Sequence, residues 1–178
     1  ALTLPMPLIP SAADVQSHYE KNGAEFHRPE MRRISQIILE SREEATRILE
    51  KARTADARAF RQLAQEHSVD RETKLRGGDV RYFPQTSERR PEDPEVPDPI
   101  VRATYAIENI GDVAPSPVDL SGRWAIVKLT GRRPAEHRTL EQAEPSIRNR
   151  LWRERRQSTI DEFVDPLVRR EGEHPVPV

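Results

Sequence analysis

The stretch "AFRQLAQEHSVDRETKLRGGDVRYF", residues 59–83, passes from helical spacing to a double glycine and then to an apolar, aromatic ending. Phe60, Leu63 and Ala64 recur at helical intervals, which predicts a helix with those three turned inward. "DVRYF", residues 79–83, predicts a short strand. Between them, Gly77-Gly78-Asp79 poses a question, because a glycine loop can cradle phosphate, make a tight turn, or let two backbones approach. The spaced glycines and Lys-Ser/Thr of a phosphate loop are missing, and a strand follows instead of a helix N-terminus. A structural turn with Gly77 or Gly78 at positive φ is the reading that remains.

Working outward, Ser11 is a plausible N-cap for a helix over about 12–22 ended by Gly23, with Val15, Tyr19 and Phe26 as its apolar stripe. Alternation over Met31 to Leu39 predicts a strand. Ser41 and Glu44 form a capping-box pattern ahead of a helix that buries Ala45, Ile48, Leu49 and Ala52. "PQTSERRPEDPEVPDP", residues 84–99, is proline-dense and charged, and predicts an irregular, solvated loop. Residues 100–111 predict a short helix burying Ile100, Ala103 and Tyr105 or Ile107, closed by Gly111. Two antiparallel strands are expected around a Ser121-Gly122 turn, the second running from Trp124 to Thr130. A long amphipathic helix follows, with Leu140, Ile147, Leu151, Phe163 and Leu167 as its seam and Pro145 in its first turns. This order predicts an α+β layer.

The 178 residues carry a formal net charge of -1, so nothing drives the chain generally toward nucleic acid or anionic membrane. No apolar run reaches membrane-spanning length. With no cysteine there is no disulfide framework, thiolate metal site or thiol nucleophile. His18, His27, His67, His137 and His174 show no close metal-ligand spacing, so neither metal nor other cofactor is expected. The arginines between 148 and 156 are interleaved with Glu144, Glu154 and Asp161, the pattern of a solvated helix face. "ALTLPMPLIP", residues 1–10, lacks a basic start and is broken by three prolines, which predicts an extended arm and not an intact signal peptide. A start at Ala1 is what a processed or trimmed product would have.

Phe60, Leu63-Ala64, Ser68-Val69-Asp70, Gly77-Gly78-Asp79 and Phe83 together resemble the centre of parvulin-type (PpiC-type) peptidyl-prolyl cis-trans isomerases. "RISQIILES" resembles that family's first strand, and residues 97–129 resemble its closing helix, turn and final strand. The resemblance covers about Met31 to Arg133, and the flanks resemble those of extracytoplasmic foldases of the SurA and PrsA kind. It implies a small antiparallel sheet of about four strands surrounded by helices. It also implies three parts: residues 1–30 as arm and helix, 31–134 as the isomerase-like domain, and 135–178 as C-terminal helix and tail.

By the same resemblance, Gln36 and Trp124 fill the positions of the family's two facing histidines, Asp70 fills an acidic or Cys position, and Ser121 supplies a hydroxyl in the final turn. Val80, Val96 and Ile100 would form the proline pocket, with Tyr105 as a core aromatic. Rotation about a peptide bond meets a barrier of about 18–20 kcal/mol, and an apolar groove that desolvates the amide lowers it. Neither glutamine nor tryptophan changes charge near neutral pH as histidine does, so catalysis is expected to be weak or lost. Three readings stay open: an X-Pro isomerase relying on Asp70, a non-catalytic module that holds unfolded or proline-containing chains, and a scaffold that oligomerises through the N-terminal arm or C-terminal helix. The implied location is extracytoplasmic, in a periplasm or secreted, with a membrane anchor conceivable in a longer form.

Overall fold

The computed structural model describes residues 8–171, with side chains described through residue 164. In chain order the elements are α1 (Ala12–Lys21), α2 (Gly23–Phe26), β1 (His27–Arg28), β2 (Met31–Leu39), α3 (Arg42–Arg53), α4 (Ala57–His67), α5 (Arg71–Lys74), β3 (Asp79–Phe83), α6 (Asp98–Tyr105), β4 (Val118–Asp119), β5 (Trp124–Arg133), β6 (Glu136–His137) and α7 (Leu140–Glu171). The chain divides into two compact units, one formed by residues up to Arg28 and from His137 onward, the other by Pro29–Glu136. No helix among the described residues is long and apolar enough to cross a membrane.

In the unit Pro29–Glu136, four antiparallel strands lie in the order β3-β2-β5-β4. β2 is central: six of its nine residues are buried, with Ile34 and Ile38 on one face and Ile37 and Leu39 on the other, which suits a strand covered twice. Ile34 and Ile38 face one side with Val80, Phe83, Val96, Ile100, Ala125, Val127 and Leu129. Ile37 and Leu39 face the other with Phe60, Ala64, Ile126 and the buried faces of α3 and α4. We call these the front and back faces. Burying a large aliphatic or aromatic side chain contributes about 1.5–3 kcal/mol, so these two clusters are the main stabilising element of the unit.

Several local expectations are corrected by tertiary contacts. The helix predicted to close at Gly111 ends at Tyr105, because Arg32 on β2 donates from Nη1 to the carbonyls of Thr104 (2.9 Å) and Ile107 (2.6 Å). Gly111 instead turns the following loop at φ +100° and donates to Leu129 O. That helix buries Val101 and Thr104 where Ala103 was expected. The proline-rich stretch is not simply a solvated loop, since it folds against the front face and buries Val96. Ser41 does accept from Glu44 N, the observed half of the predicted capping box.

In the other unit, Val15, Phe26, Ala143 and Ile147 form a small core flanked by Tyr19, Leu140 and Leu151. Gly23 opens the short α2 as well as following α1. The predicted α7 seam therefore covers only the first part of that helix: Phe163 is 72% exposed, and the side chain of Leu167 lies outside the described residues, as does most of the N-terminal arm. Ser11 and Asp14 make a complete capping box at α1, and Arg155 reaches Asp14 at 2.8 Å. The Ser11 backbone N–H, helped by Arg155, lowers the Asp14 pKa to about 2.

A carboxyl with a depressed folded-state pKa contributes stability above its ordinary value near 3.9 and loses it as pH falls toward 2. Asp14→Asn is accordingly expected to lower Tm at pH 6, with the gap to the parent closing between about pH 4 and pH 2. Thermal melts at pH 6, 4 and 2 check this, and a gap that persists at pH 2 would contradict it.

Candidate functional site

Gln36 projects from β2 onto the front face, at the edge where the front core is left open. Its side-chain neighbour is fixed by a short segment that adds to the end of the strand. Val69 N donates to Ile38 O at 2.8 Å, and the buried Ser68 hydroxyl accepts from Ile38 N at 3.1 Å and Asp70 N at 3.4 Å. These bonds bring the Asp70 carboxylate within 3.3 Å of Gln36 Nε2. Asp70 also caps α5, accepting from Glu72 N at 3.2 Å and from the Thr73 hydroxyl.

The glycine turn lies beneath the same residue. Gln36 N donates to Gly78 O at 2.9 Å, and Gly77 and Gly78 both have positive φ, +69° and +82°. A Cβ on Gly78 would fall 2.2 Å from Gln36 O. The double glycine is thus a turn and a close approach at once, and it locates Gln36 relative to β3.

Gln36 and Asp70 line one side of an open cleft of about 850 Å³. Val80 of β3 and Val96, Pro94 and Pro97 of the proline-rich stretch supply apolar walls, and Thr73, Arg76, Arg81, Arg89, Glu72, Glu95 and Asp98 complete the lining. Arg89 Nη2 donates to Val96 O at 2.6 Å, and the Thr86 hydroxyl donates to Asp98 at 2.8 Å. These bonds hold the proline-rich stretch in place as a wall. A cleft with apolar walls and a few convergent polar groups has the character of a ligand site.

The structure brings together four of the eight expected site residues: Gln36, Asp70, Val80 and Val96. The other four lie elsewhere. Ile100 is 1% exposed and sits below the wall in the front core. Tyr105 ties α6 down, its hydroxyl donating to Glu30 O (2.7 Å) and Phe83 O (3.1 Å). Burial, reinforced by the Glu30 carboxylate, pushes its pKa up to about 12. Ser121, at φ 59°, is exposed in the β4–β5 turn.

Trp124 is the main departure from expectation. It pairs with Leu39 and packs on the back face, under the Arg42 guanidinium, whose carbon lies 5.5 Å from the ring centroid. It does not face Gln36. The β5 residues on the front face are Ala125, Val127 and Leu129, with Val127 directly paired to Gln36. None of the three carries a polar side chain.

The charged lining is split among α5, β3 and a loop, so no local sequence pattern marks it. Among the described residues no group of three or more His, Asp or Glu side chains is placed to hold a metal ion. Removing Asp70 should cost both a helix cap and the anchor of Gln36. Asp70→Ala is expected to lower the unfolding free energy by about 1 kcal/mol and Asp70→Asn by only a few tenths; urea unfolding of both variants checks the ranking.

Residues 10–145 match the PPIC-type PPIase domain, and the chain belongs to that family. It is 31% identical over 140 residues to foldase protein PrsA 2 of Bacillus anthracis, covering 79% of this chain and 44% of that protein. It is 33% identical over 113 residues to foldase protein PrsA of Streptococcus sanguinis, covering 61% of this chain and 31% of that one. The chain therefore spans less than half the length of either foldase. Among solved structures, a chain from work on the SurA-like chaperones PEB4 and Cj1289 of Campylobacter jejuni superposes with a TM-score of 0.60 at 20% identity, over 96% of this chain and 65% of that one. The α+β fold is that of a parvulin domain, with a long C-terminal helix.

Proposed function

We propose that the unit Pro29–Glu136 binds X-Pro segments of unfolded polypeptides in the Gln36–Asp70–Val80–Val96 cleft and accelerates their cis-trans rotation only weakly. The observation that carries this reading is the cleft's one-sided chemistry. Val80, Val96 and the flanking prolines can desolvate a prolyl ring, and Gln36 with Asp70 can hydrogen-bond the adjacent peptide. Stabilising the twisted amide by about 3 kcal/mol would give roughly 10²-fold acceleration. Ala125 and Val127, the front-face β5 residues opposite Ile38 and Gln36, carry no polar group, so that strand adds no partner to Gln36 and Asp70 and the expected effect is small.

A holding module without catalysis is the second reading, and the apolar Ala125 and Val127 opposite Gln36 favour it. In both readings the clients are unfolded or proline-containing chains, and the setting is extracytoplasmic. That setting is supported by the likeness to a structure from work that names Cj1289 a periplasmic protein. NMR exchange spectroscopy on a short X-Pro peptide separates the two. Weak catalysis predicts exchange faster than in buffer and slowed by Val96→Thr, which puts a hydroxyl in the apolar wall. Exchange equal to the buffer rate, with the peptide still bound, assigns the holding module.

A further inference from the structure

A second cavity, of about 530 Å³, opens on the back face of the sheet, between β2, β5 and the start of α4. Its charged lining is strongly one-sided: Arg33, Arg61, Arg76 and Lys128 against Asp79 alone. Asp79 is already committed to Arg33, whose Nε and Nη2 reach its two oxygens at 2.8 and 2.7 Å. Three cations remain without a counter-charge in the cavity.

Lys128 is the unusual member. It is 94% buried, since its exposure is 6%, and its Nζ donates to one backbone carbonyl, Ala55 O, at 2.9 Å. Its other close partner is the Phe60 ring, 5.5 Å away. No carboxylate lies within ion-pair distance among the described residues. Burying a charge is costly unless it is paired, so this ammonium sits where an anion would be stabilised. Arg61 and Arg76 make no side-chain hydrogen bond or ion pair among the described residues, and the Arg61 stem crosses the turn where Gly77 has no Cβ. The hydroxyl-bearing Ser35 and Thr130 also line the cavity.

We propose that this back-face cavity binds a doubly charged oxyanion of the phosphate class, free or as a phosphomonoester, through Lys128, Arg61 and Arg76. One carboxylate would leave most of this charge unbalanced, whereas a dianion matches Lys128 and one arginine, and guanidinium forks suit its oxygens. The site shares Arg76 with the X-Pro cleft, but Lys128, Ser35 and Arg61 do not line that cleft, and Lys128 and Ser35 belong to the opposite face of the sheet.

The test is an amide NMR titration of the whole chain with inorganic phosphate, and separately with glycerol 3-phosphate, at ionic strength held constant with chloride. Saturable shifts are expected at Ser35, Arg61, Arg76 and Lys128. Arg61→Gln, at an exposed position, and Lys128→Met are each expected to weaken binding about tenfold, the loss of one charge-assisted hydrogen bond. Equal affinity for the two probes would mean that the free oxyanion suffices, and tighter binding of the ester that its substituent is also held. Chloride alone reproducing the shifts, acetate binding as tightly as phosphate, or unchanged affinity in Arg61→Gln would each overturn the proposal.

Discussion

Gly78→Ala is expected to destabilise the protein by about 3 kcal/mol or more, the largest effect of an alanine at any of the described glycines. Two costs combine. At φ +82° any L side chain is strained, at about 1–2 kcal/mol. The added carbon would also lie 2.2 Å from Gln36 O and 2.9 Å from Gln36 N, and backbone atoms cannot rotate away as a side chain can. Relief requires β3 to move from β2, at about 1–3 kcal/mol for overpacking. Gly111→Ala is the control: its φ is +100° and nothing lies within 4 Å of its Cβ position, so only the conformational cost of about 1–2 kcal/mol applies. Urea unfolding of both variants measures the difference, and equal losses would mean that the close approach at Gln36 does not exist.

Arg32→Met is expected to cost about 1–3 kcal/mol, as leaving a buried acceptor without its donor does; Glu30 stays paired with Arg132 at 3.0 Å. Arg32 is 7% exposed. Its Nε donates to Glu30 at 2.7 Å, its Nη1 holds the Thr104 and Ile107 carbonyls, and its guanidinium carbon lies 4.6 Å from the Tyr105 ring centroid. Methionine fills the volume but removes the donor to the Ile107 carbonyl, while Thr104 O keeps its bond from Ile107 N at 3.2 Å. Arg32→Lys should recover only part of the loss, because a single ammonium cannot reproduce the planar fork. Since α6 carries Ile100 below the Val96 wall, the variant should also weaken peptide binding in the cleft. Chemical denaturation with the lysine variant alongside tests this, and a loss below about 1 kcal/mol would contradict the network.

Much of this architecture can be read locally. The bounds of β2 and β3 follow from alternation and from the glycine pair, and Ser11 and Ser41 cap the helices where their hydroxyls suggest. What escaped the reading is non-local. The face of Trp124 is set by the unbroken pairing of residues 34–39 with residues 124–129, which places Trp124 opposite Leu39 and Ala125 opposite Ile38. In a strand, a one-residue difference in alignment moves a side chain to the opposite face, so a motif match near Trp124 could not choose between it and Ala125. The end of α6 is fixed by Arg32, some seventy residues earlier in the chain, and not by the glycine downstream. Charged composition marked residues 84–99 as solvated, yet Val96 and its Arg89 clamp make the stretch a cleft wall. At the site, Gln36, Asp70, Val80 and Val96 were legible through resemblance, whereas the surrounding charges were not.

On this reading Gln36, Asp70, Val80 and Val96 form one surface that holds a prolyl residue. Amide chemical-shift mapping with a short X-Pro peptide, repeated with the same peptide carrying alanine for proline, tests it most directly. Saturable shifts centred on these four residues are expected, weakened markedly with the alanine peptide. Shifts centred on Trp124 and Ser121, or equal binding of the two peptides, would contradict it.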